Sequence, residues 1–141
     1  MGVVEDLAAA WNSHDARQIA ALYAEDGVRE EFIVTHMRAV GRDEIAALVQ
    51  MYLDAMPDLA LSLRHVSSGD GVVTLEWMVH ATHTGDAEGW PANNEAVAFP
   101  GVSVVEVSAD GEIREERVYT DFTGLLAGAG LIPGVEPPMW G

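Results

Sequence analysis

The hydrophobic period of the chain changes at Pro57, and this change limits the folds that the sequence can adopt. Before Pro57 the apolar residues recur every three or four positions, and after it they alternate with polar or small residues. The first spacing predicts amphipathic helices, and the second predicts half-buried strands. A chain with helices first and strands afterwards indicates an α+β fold, in which helices pack on one face of a curved, mainly antiparallel sheet.

Three helices are predicted before Pro57 from the apolar stripe and the end signals of each segment. Asp15 is typical of an N-cap for the second helix, with Gln18 three residues later as in a capping box. Acidic residues follow Gly41 in the first turn of the third helix, where they suit the helix dipole. The predicted ranges are 3–12, from Asp15 to residues 26–27, and from Gly41 to Pro57, with a short strand at 28–34.

Four strands are predicted after Pro57. Turn signals rich in glycine and aspartate, at residues 68–71 and 110–111, separate two pairs of neighbouring strands. The strands are expected around residues 59–63 and at residues 72–84, 95–108 and 112–122.

The length of 141 residues suits a single domain. We expect this domain to cover residues 1–132 and to end in a short helix at 123–131, with an irregular tail at 133–141. The N-terminus has no basic segment ahead of an apolar run, and no stretch approaches the roughly 18 apolar residues of a membrane span. The sequence therefore predicts a cytoplasmic protein.

The composition excludes several kinds of chemistry. The chain has no cysteine, which rules out disulfides and thiolate-bound metals, and no lysine, which rules out a Schiff base. Its 23 acidic residues outnumber 7 basic ones, and the formal net charge is -16. Nucleic acids and anionic membranes are bound by clustered basic residues, so we expect neither as a partner. No spacing of histidines and carboxylates predicts a metal site.

Several short segments stand in an order and spacing that is typical of one family. They are residues 22–28, 41–45, 56–59, 69–73, Trp77, 82–85, 110–113 and 121–126. Together they resemble the SnoaL-like polyketide cyclases and ester cyclases of the nuclear transport factor 2-like superfamily, to which ketosteroid isomerases also belong. The resemblance covers residues 3–132. It implies a cone-shaped α+β barrel, whose three N-terminal helices and curved sheet enclose an apolar pocket.

The resemblance also implies a function. SnoaL-like polyketide cyclases close a ring by intramolecular aldol condensation without a metal or a cofactor. Asp121 stands at the position of their acid/base, so we expect it to abstract a proton from an apolar, carbonyl-bearing substrate. Two features depart from the family pattern: Glu116 and Arg117 replace a common histidine–tryptophan pair, and the loop at 89–93 has a different sequence.

Four further residues are candidate catalytic groups. Glu31 stands where ketosteroid isomerases keep their proton-abstracting acid, so it is the rival base. His83, near the end of its predicted strand, can donate to a carbonyl oxygen as an enolate forms. His36, in the predicted loop before the third helix, can reach the rim of the pocket. Tyr119 can donate to an oxyanion or orient the catalytic carboxylate.

Five side chains are expected to line the substrate pocket: Trp77, Val79, Phe99, Arg117 and Trp90. The apolar members of this set would partly desolvate a nearby carboxylate and make it a stronger base. Trp90 belongs to the divergent loop and can form a lid or part of a dimer contact. Arg117 is expected beside the pocket carboxylate or in an ion pair with Glu115 or Glu116.

Three other functions stay open at this point. An isomerase would use the same first proton transfer as a cyclase. Epoxide hydrolases of this fold use a carboxylate–arginine–carboxylate arrangement, which Arg117 and Asp121 match only in part. A non-catalytic module for binding a small molecule or for dimerisation is the third alternative. The superfamily also implies a homodimer, formed through the convex face of the sheet.

Overall fold

The computed structural model describes residues 2–32, 36–86 and 92–122. The helices in these ranges are α1 (Val3–Ser13), α2 (Ala16–Ala20) and α3 (Arg42–Ala55). The strands are β1 (Tyr23–Phe32), β2 (His36–Val40), β3 (Ala60–Gly69), β4 (Val72–Thr82), β5 (Ala96–Val107) and β6 (Ile113–Thr120). None of these helices is long and apolar enough to cross a lipid bilayer. The helix and the tail predicted after residue 122 lie outside the described residues.

The six strands of the described chain join one mixed sheet in the order β2-β1-β6-β5-β4-β3. β1 and β6 run parallel, and every other neighbouring pair is antiparallel. The helices pack against one face of the sheet, and its edge strands β2 and β3 do not pair with each other. The predicted α+β class is therefore confirmed, with an open cone in place of a closed barrel.

The second helix is much shorter than predicted. Asp15 caps α2 as expected, because its carboxylate accepts hydrogen bonds from the backbone N–H groups of Arg17 and Gln18 at 2.9 and 3.2 Å. α2 nevertheless ends at Ala20, and the prediction of a helix as far as residues 26–27 is wrong. The backbone continues as β1 because this segment pairs with β6, and that pairing outweighs its helical spacing of apolar residues.

The predicted loop before α3 contains a strand. β2 pairs antiparallel with β1, with His36 opposite Phe32 and Val40 opposite Val28. Its five residues alternate weakly between apolar and polar types, so their conformation depends on the neighbouring strand more than on their own pattern. His36 therefore begins a strand and is not part of a loop.

An irregularity near the start of β6 decides which of its side chains face the helices. The register against β5 shifts there, so that Ile113 and Glu116 are both buried although three positions separate them. From Glu116 onward alternate residues face the helices, and Arg117 and Tyr119 face the opposite side. If the residues alternated without a break from Ile113, Arg117 and Tyr119 would face the helices and Glu116 would face outward. The irregularity is the physical reason for the difference.

One tight contact between neighbouring strands shapes the inner face of the sheet. Trp77 of β4 lies against Gly101, its register partner on β5, and a Cβ atom at Gly101 would come within 2.2 Å of the indole ring. The indole Nε1 donates a hydrogen bond to Ser103 Oγ at 3.1 Å. Phe99 then packs edge-on against Trp77, with ring centroids 6.4 Å apart. These contacts hold one apolar wall in place.

Candidate active site

A cavity opens between the helices and the inner face of the sheet, and most of its wall is apolar. The apolar lining includes Leu7, Trp11, Met56, Trp77, Val79, Phe99 and Phe122. The structure thus places Trp77, Val79 and Phe99 of the predicted pocket residues in this wall. Trp90 lies outside the described residues. A concave, largely apolar space of this kind is typical of small-molecule sites.

The charged part of the lining consists of Arg29, Glu31 and Glu116, here called the buried ion cluster. Arg29 and Glu31 are two positions apart on β1, so both point to the same face of the sheet. Glu116 is the register partner of Arg29 across the parallel pairing of β1 and β6. The fold therefore joins Arg29 to a carboxylate that is 87 positions away in the sequence.

Arg29 lies at the centre of the buried ion cluster. Its Nε donates a hydrogen bond to Glu31 Oε2 at 2.8 Å, and its Nη1 donates to Glu116 Oε1 at 3.0 Å. The exposed fraction of the side chain is 6% for Arg29, 1% for Glu31 and 3% for Glu116. Because an unpaired charge is very unfavourable at such depth, each of the three residues depends on the others.

Two tyrosines complete the arrangement. Tyr23 donates its hydroxyl hydrogen to Glu116 Oε1, and Tyr52 on α3 donates to Glu31 Oε1. Burial, and after it the charge of Glu116, raises the pKa of Tyr23 well above its ordinary value. Burial and the charge of Glu31 also raise the pKa of Tyr52. Both hydroxyls therefore keep their protons near neutral pH and act as hydrogen-bond donors.

The charges of the buried ion cluster do not cancel, because two carboxylates share one guanidinium. Burial acts to lower the pKa of Arg29, but the neighbouring Tyr23, Glu116 and Glu31 outweigh it, and the pKa lies well above its ordinary value. Arg29 therefore stays a cation. Its guanidinium carbon lies 5.4 Å from the centre of the Trp11 ring, in a cation–π contact.

This arrangement has the groups that acid/base chemistry requires. A carboxylate in a cavity that is mostly apolar can accept a proton from a substrate and return it. A guanidinium beside it can stabilise negative charge that develops on a substrate oxygen. Among the described residues, no group of histidines and carboxylates is placed to hold a metal ion.

Asp121 follows β6 and is exposed. Its neighbours Thr120 and Phe122 line the cavity, whereas Asp121 is not part of the lining. The structure thus brings Asp121 next to the cavity but not into the buried ion cluster. Its role as the catalytic base stays a prediction.

His83 is fully buried just beyond the end of β4, on the strand face that also carries Trp77. Its backbone N–H donates to the carbonyl of Glu95 at 3.0 Å, and its own carbonyl accepts from the N–H of Asn94 at 2.9 Å. His83 is not part of the cavity lining. A catalytic role for it also stays a prediction.

His36 and Tyr119 lie on the outer face of the sheet, away from the cavity. The Phe32 ring stacks between them, with centroids 4.8 Å from His36 and 5.0 Å from Tyr119. The expectation that they reach the pocket is not met, because Phe32 and its strand partners point opposite to Glu31. His36 forms an ion pair with Glu30 at 2.7 Å when its ring is protonated.

Arg117 also lies on the outer face of the sheet. It forms ion pairs with Glu106 at 2.7 Å and with Glu115 at 3.3 Å. The expected ion pair with Glu115 is therefore present, and the expected place beside the pocket carboxylate is not. The physical reason is the irregularity in β6, which turns Glu116 inward and Arg117 outward.

Sequence reasoning identified Glu31 but missed the other members of the site. For Arg29 a signal was available, because a cation and an anion two positions apart on a strand share one face. Tyr23 and Tyr52 fit the apolar stripes of predicted helices, so their spacing does not distinguish them from core residues. Glu116 is noticeable in the sequence only as a departure from the family pattern.

Comparisons with known proteins agree with this fold. A model of the family described as SnoaL-like polyketide cyclase matches residues 2–128. The solved structure of AclR, a hydroxylase candidate from Streptomyces galilaeus, superposes with a TM-score of 0.79 at 25% identity, over 95% of this chain and 86% of that one. A polyketide cyclase candidate from Xanthomonas campestris pv. campestris superposes with a TM-score of 0.73 at 25% identity, over 90% and 93% of the two chains.

A third solved structure is similar in fold alone. The epoxide hydrolase/cyclase-like enzyme SalBIII superposes with a TM-score of 0.70 at 19% identity, over 84% of this chain and 87% of that one. That enzyme has a role in pyran ring formation in the polyether salinomycin. No curated protein matches the sequence.

Proposed function

The chain belongs to the SnoaL-like polyketide cyclase family, and from this membership we propose that it closes a ring in an apolar, carbonyl-bearing small molecule. The family and the names of the similar structures support a cyclase-type enzymatic function. The proposal goes further in two respects. It assigns the acid/base chemistry to the buried ion cluster in place of Asp121, and it assigns the reaction to intramolecular aldol cyclisation.

One observation carries the proposal. Glu31 and Glu116 are both buried at the side of a largely apolar cavity, and Arg29 bridges them. A purely structural core gains little from such an arrangement, because well-packed apolar residues are often as stable as a buried ion pair. Charged groups that line a cavity are instead typical of functional sites.

The reaction needs one proton transfer in each direction. A carboxylate of the cluster takes a proton from the carbon next to a substrate carbonyl, and the C–H electron pair forms an enolate. The enolate carbon then attacks a second carbonyl carbon in the same molecule, which forms the ring bond and an alkoxide. The alkoxide takes the proton back from the carboxylic acid. The cavity contributes by holding the two ends of the substrate together.

The lining of the cavity favours a neutral substrate. Among the described residues that line the cavity, Arg29 is the only cation. Its positive charge is already shared by the carboxylates of Glu31 and Glu116. An anionic substrate would meet an excess of negative charge at short range in a poorly screened site. The apolar wall suits the rings or chains of a polyketide or a terpenoid.

The base-promoted ring opening of a nitrobenzisoxazole tests the proposal, because this probe responds to a base in an apolar cavity. The rate is measured from acidic to alkaline pH for the wild type, for Asp121→Asn and for a protein that carries both Glu31→Gln and Glu116→Gln. We expect the doubly substituted protein to lose about 100-fold or more of the rate. Asp121→Asn should keep most of it.

Glu30→Gln is the matched control, because Glu30 neighbours Glu31 on β1 but does not line the cavity. Circular dichroism checks that every variant is folded. Loss of the rate in Asp121→Asn alone would contradict the assignment to the cluster and favour Asp121 as the base. A folded wild-type protein without any rate above buffer would contradict an enzymatic role and favour a binding module.

Epoxide opening is the second candidate, because the cluster has the carboxylate–arginine–carboxylate order that such enzymes use. In this reaction Glu31 or Glu116 takes a proton from water, the water oxygen attacks an epoxide carbon, and the C–O bond breaks. The second glutamate has to be protonated for this reaction, so that it can give its proton to the leaving oxygen. Styrene oxide in oxygen-labelled water distinguishes this candidate. Labelled diol in excess of the buffer rate supports it, and unchanged epoxide argues against it.

A further inference from the structure

The hydrogen bonds of the buried ion cluster divide its atoms into two groups. Both oxygens of Glu31 accept bonds, one from Tyr52 and one from Arg29. Glu116 accepts both of its hydrogen bonds at Oε1, and Arg29 donates its hydrogen bonds from Nε and Nη1. Among the described residues, therefore, Glu116 Oε2 accepts no hydrogen bond and Arg29 Nη2 donates none.

These two atoms belong to residues that are buried and that line the same cavity. Neither atom is one of the fully buried side-chain atoms that lack a hydrogen-bond partner, so each keeps some accessible surface. An acceptor and a pair of N–H donors without protein partners are therefore available to a molecule inside the cavity. Arg29 and Glu116 are register partners, so the two atoms stand on adjacent strands.

We propose that Arg29 Nη2 binds the carbonyl oxygen of the substrate and that Glu116 Oε2 accepts the proton from the adjacent carbon. The C–H bond breaks, its electron pair becomes the enolate, and the negative charge on oxygen develops against the guanidinium. This assignment rests on the proposed function and names its reacting atoms. It makes Arg29 and Glu116 the catalytic residues of the cluster.

Glu31 has a different role in this assignment. Its Oε2 accepts a hydrogen bond from Arg29 Nε and its Oε1 accepts one from the Tyr52 hydroxyl, so both oxygens already have protein partners. Glu31 is therefore a positioning residue, which fixes the plane of the guanidinium against the substrate. The Trp11 ring beside the guanidinium restricts the same group from another side.

The assignment also narrows the substrate class. The bound group needs an acceptor oxygen, because Arg29 can only donate. It also needs a hydrogen on the carbon next to that carbonyl, because Glu116 Oε2 has to reach it. An enolisable, uncharged ketone meets both conditions.

Single substitutions in the nitrobenzisoxazole assay separate the two glutamates. Glu116→Gln keeps the shape of the side chain and an acceptor oxygen for Tyr23 and Arg29, but it removes the base. We expect it to lose about 100-fold or more of the rate. Glu31→Gln should lose less than about tenfold of the rate, because the group that accepts the proton is unchanged. Glu30→Gln is again the matched control.

Binding of 4-nitrophenol gives a second readout that does not need turnover, because its phenolate mimics an enolate and absorbs visible light. Glu116→Gln removes a negative charge beside the oxygen site, so we expect it to bind the phenolate more tightly than the wild type although its rate is lower. Arg29→Lys, checked for folding by circular dichroism, should bind the phenolate more weakly. A residue with a merely structural role would not raise affinity while lowering the rate.

The outcomes distinguish this assignment from the proposed function. A larger loss of rate in Glu31→Gln than in Glu116→Gln overturns the assignment and leaves the cluster as the acid/base centre. Weaker phenolate binding in Glu116→Gln than in the wild type also overturns it. If the folded wild type has no rate at all, the proposed function fails. The phenolate affinities then test only the assignment of Arg29 Nη2 as the group that binds the substrate oxygen. Equal phenolate affinity in Arg29→Lys and the wild type overturns that assignment.

Discussion

At the scale of single residues, two ion pairs of nearly equal length have very different importance. Arg17 and Asp43 lie 2.7 Å apart, but their side chains are 71% and 91% exposed. Arg29 and Glu31 lie 2.8 Å apart and are almost fully buried. Water and salt screen the first pair, which contributes at most about 1 kcal/mol to stability. Breaking the second pair would leave a buried charge without a partner, so the side chains around Arg29 have to keep it paired.

Tyr52→Phe tests this dependence on buried partners. The substitution removes only the hydroxyl that donates to Glu31 Oε1. We expect the free energy of unfolding to fall by about 1–3 kcal/mol, because a buried carboxylate oxygen loses its donor. Denaturation with urea at neutral pH measures the change.

Tyr119→Phe is the control for this prediction, since Tyr119 is 44% exposed on the outer face of the sheet. Its substitution should change the free energy of unfolding by less than about 0.5 kcal/mol. Equal losses in the two variants would mean that the hydroxyl of Tyr52 has no special importance.

At the scale of helices and strands, local pattern predicts an element well when its neighbours agree with that pattern. The third helix and the long strand β4 were predicted within a few residues, because their apolar spacing matches the faces that they bury. The second helix was predicted too long, because Tyr23 fits a helical stripe as well as the inner face of β1. β2 was missed for the related reason that a short strand obtains most of its order from its partner.

Gly101→Ala tests how two strands share the space of the cavity wall. An added methyl group would come within 2.2 Å of the Trp77 ring, so the indole has to move. We expect a loss of about 1–3 kcal/mol in the free energy of unfolding, as for other overpacked cores. A shifted tryptophan fluorescence spectrum should accompany it.

The matched control is Gly69→Ala at the end of β3. A Cβ atom there meets nothing within 4 Å. Its substitution should change the free energy of unfolding by less than about 0.5 kcal/mol. If both alanine variants lost the same amount of stability, the contact with Trp77 would not be the cause.

Asp58→Asn tests the connection between α3 and β3. Asp58 accepts hydrogen bonds from the backbone N–H of Thr82 at 2.7 Å and from its hydroxyl at 2.8 Å. The backbone N–H, and then the hydroxyl, lowers the pKa of Asp58 below its ordinary value. The folded state therefore holds this proton less tightly than the unfolded state does. The stabilisation exists above the pKa of the unfolded chain and disappears as the pH falls through the folded value.

The wild type should consequently be more stable than Asp58→Asn at neutral pH, and the difference should shrink in acid. Urea unfolding of both proteins at neutral and acidic pH measures this. A difference in stability that is independent of pH would show that the charge of Asp58 is not responsible.

At the scale of the whole molecule, the helices cover the inner face of the sheet and leave the outer face exposed. The stacked Phe32 and Tyr119 rings are 36% and 44% exposed there. The chain also has a formal net charge of -16, so two copies of it repel each other at low salt. The homodimer that the family resemblance implies therefore has to overcome this repulsion, and it stays a prediction.

We expect the fraction of dimer to rise with salt concentration, because salt screens the repulsion between the two chains. Light scattering after size-exclusion chromatography, at low and moderate salt, measures it. Phe32→Glu should shift the equilibrium toward the monomer by adding charge to the outer face. A wild-type protein that is monomeric at every salt concentration would contradict the prediction.

The sequence by itself determined the α+β class, because the hydrophobic period and the turn signals are local properties, and its short motifs carried the family resemblance. It also pointed to Glu31. Only the tertiary structure decided that Glu116 joins Arg29, and that Arg117, Tyr119 and His36 face outward. These features depend on a parallel pairing between distant strands and on one shift of register. No local pattern encodes either of them, since a shift by a single residue sends every later side chain to the opposite face.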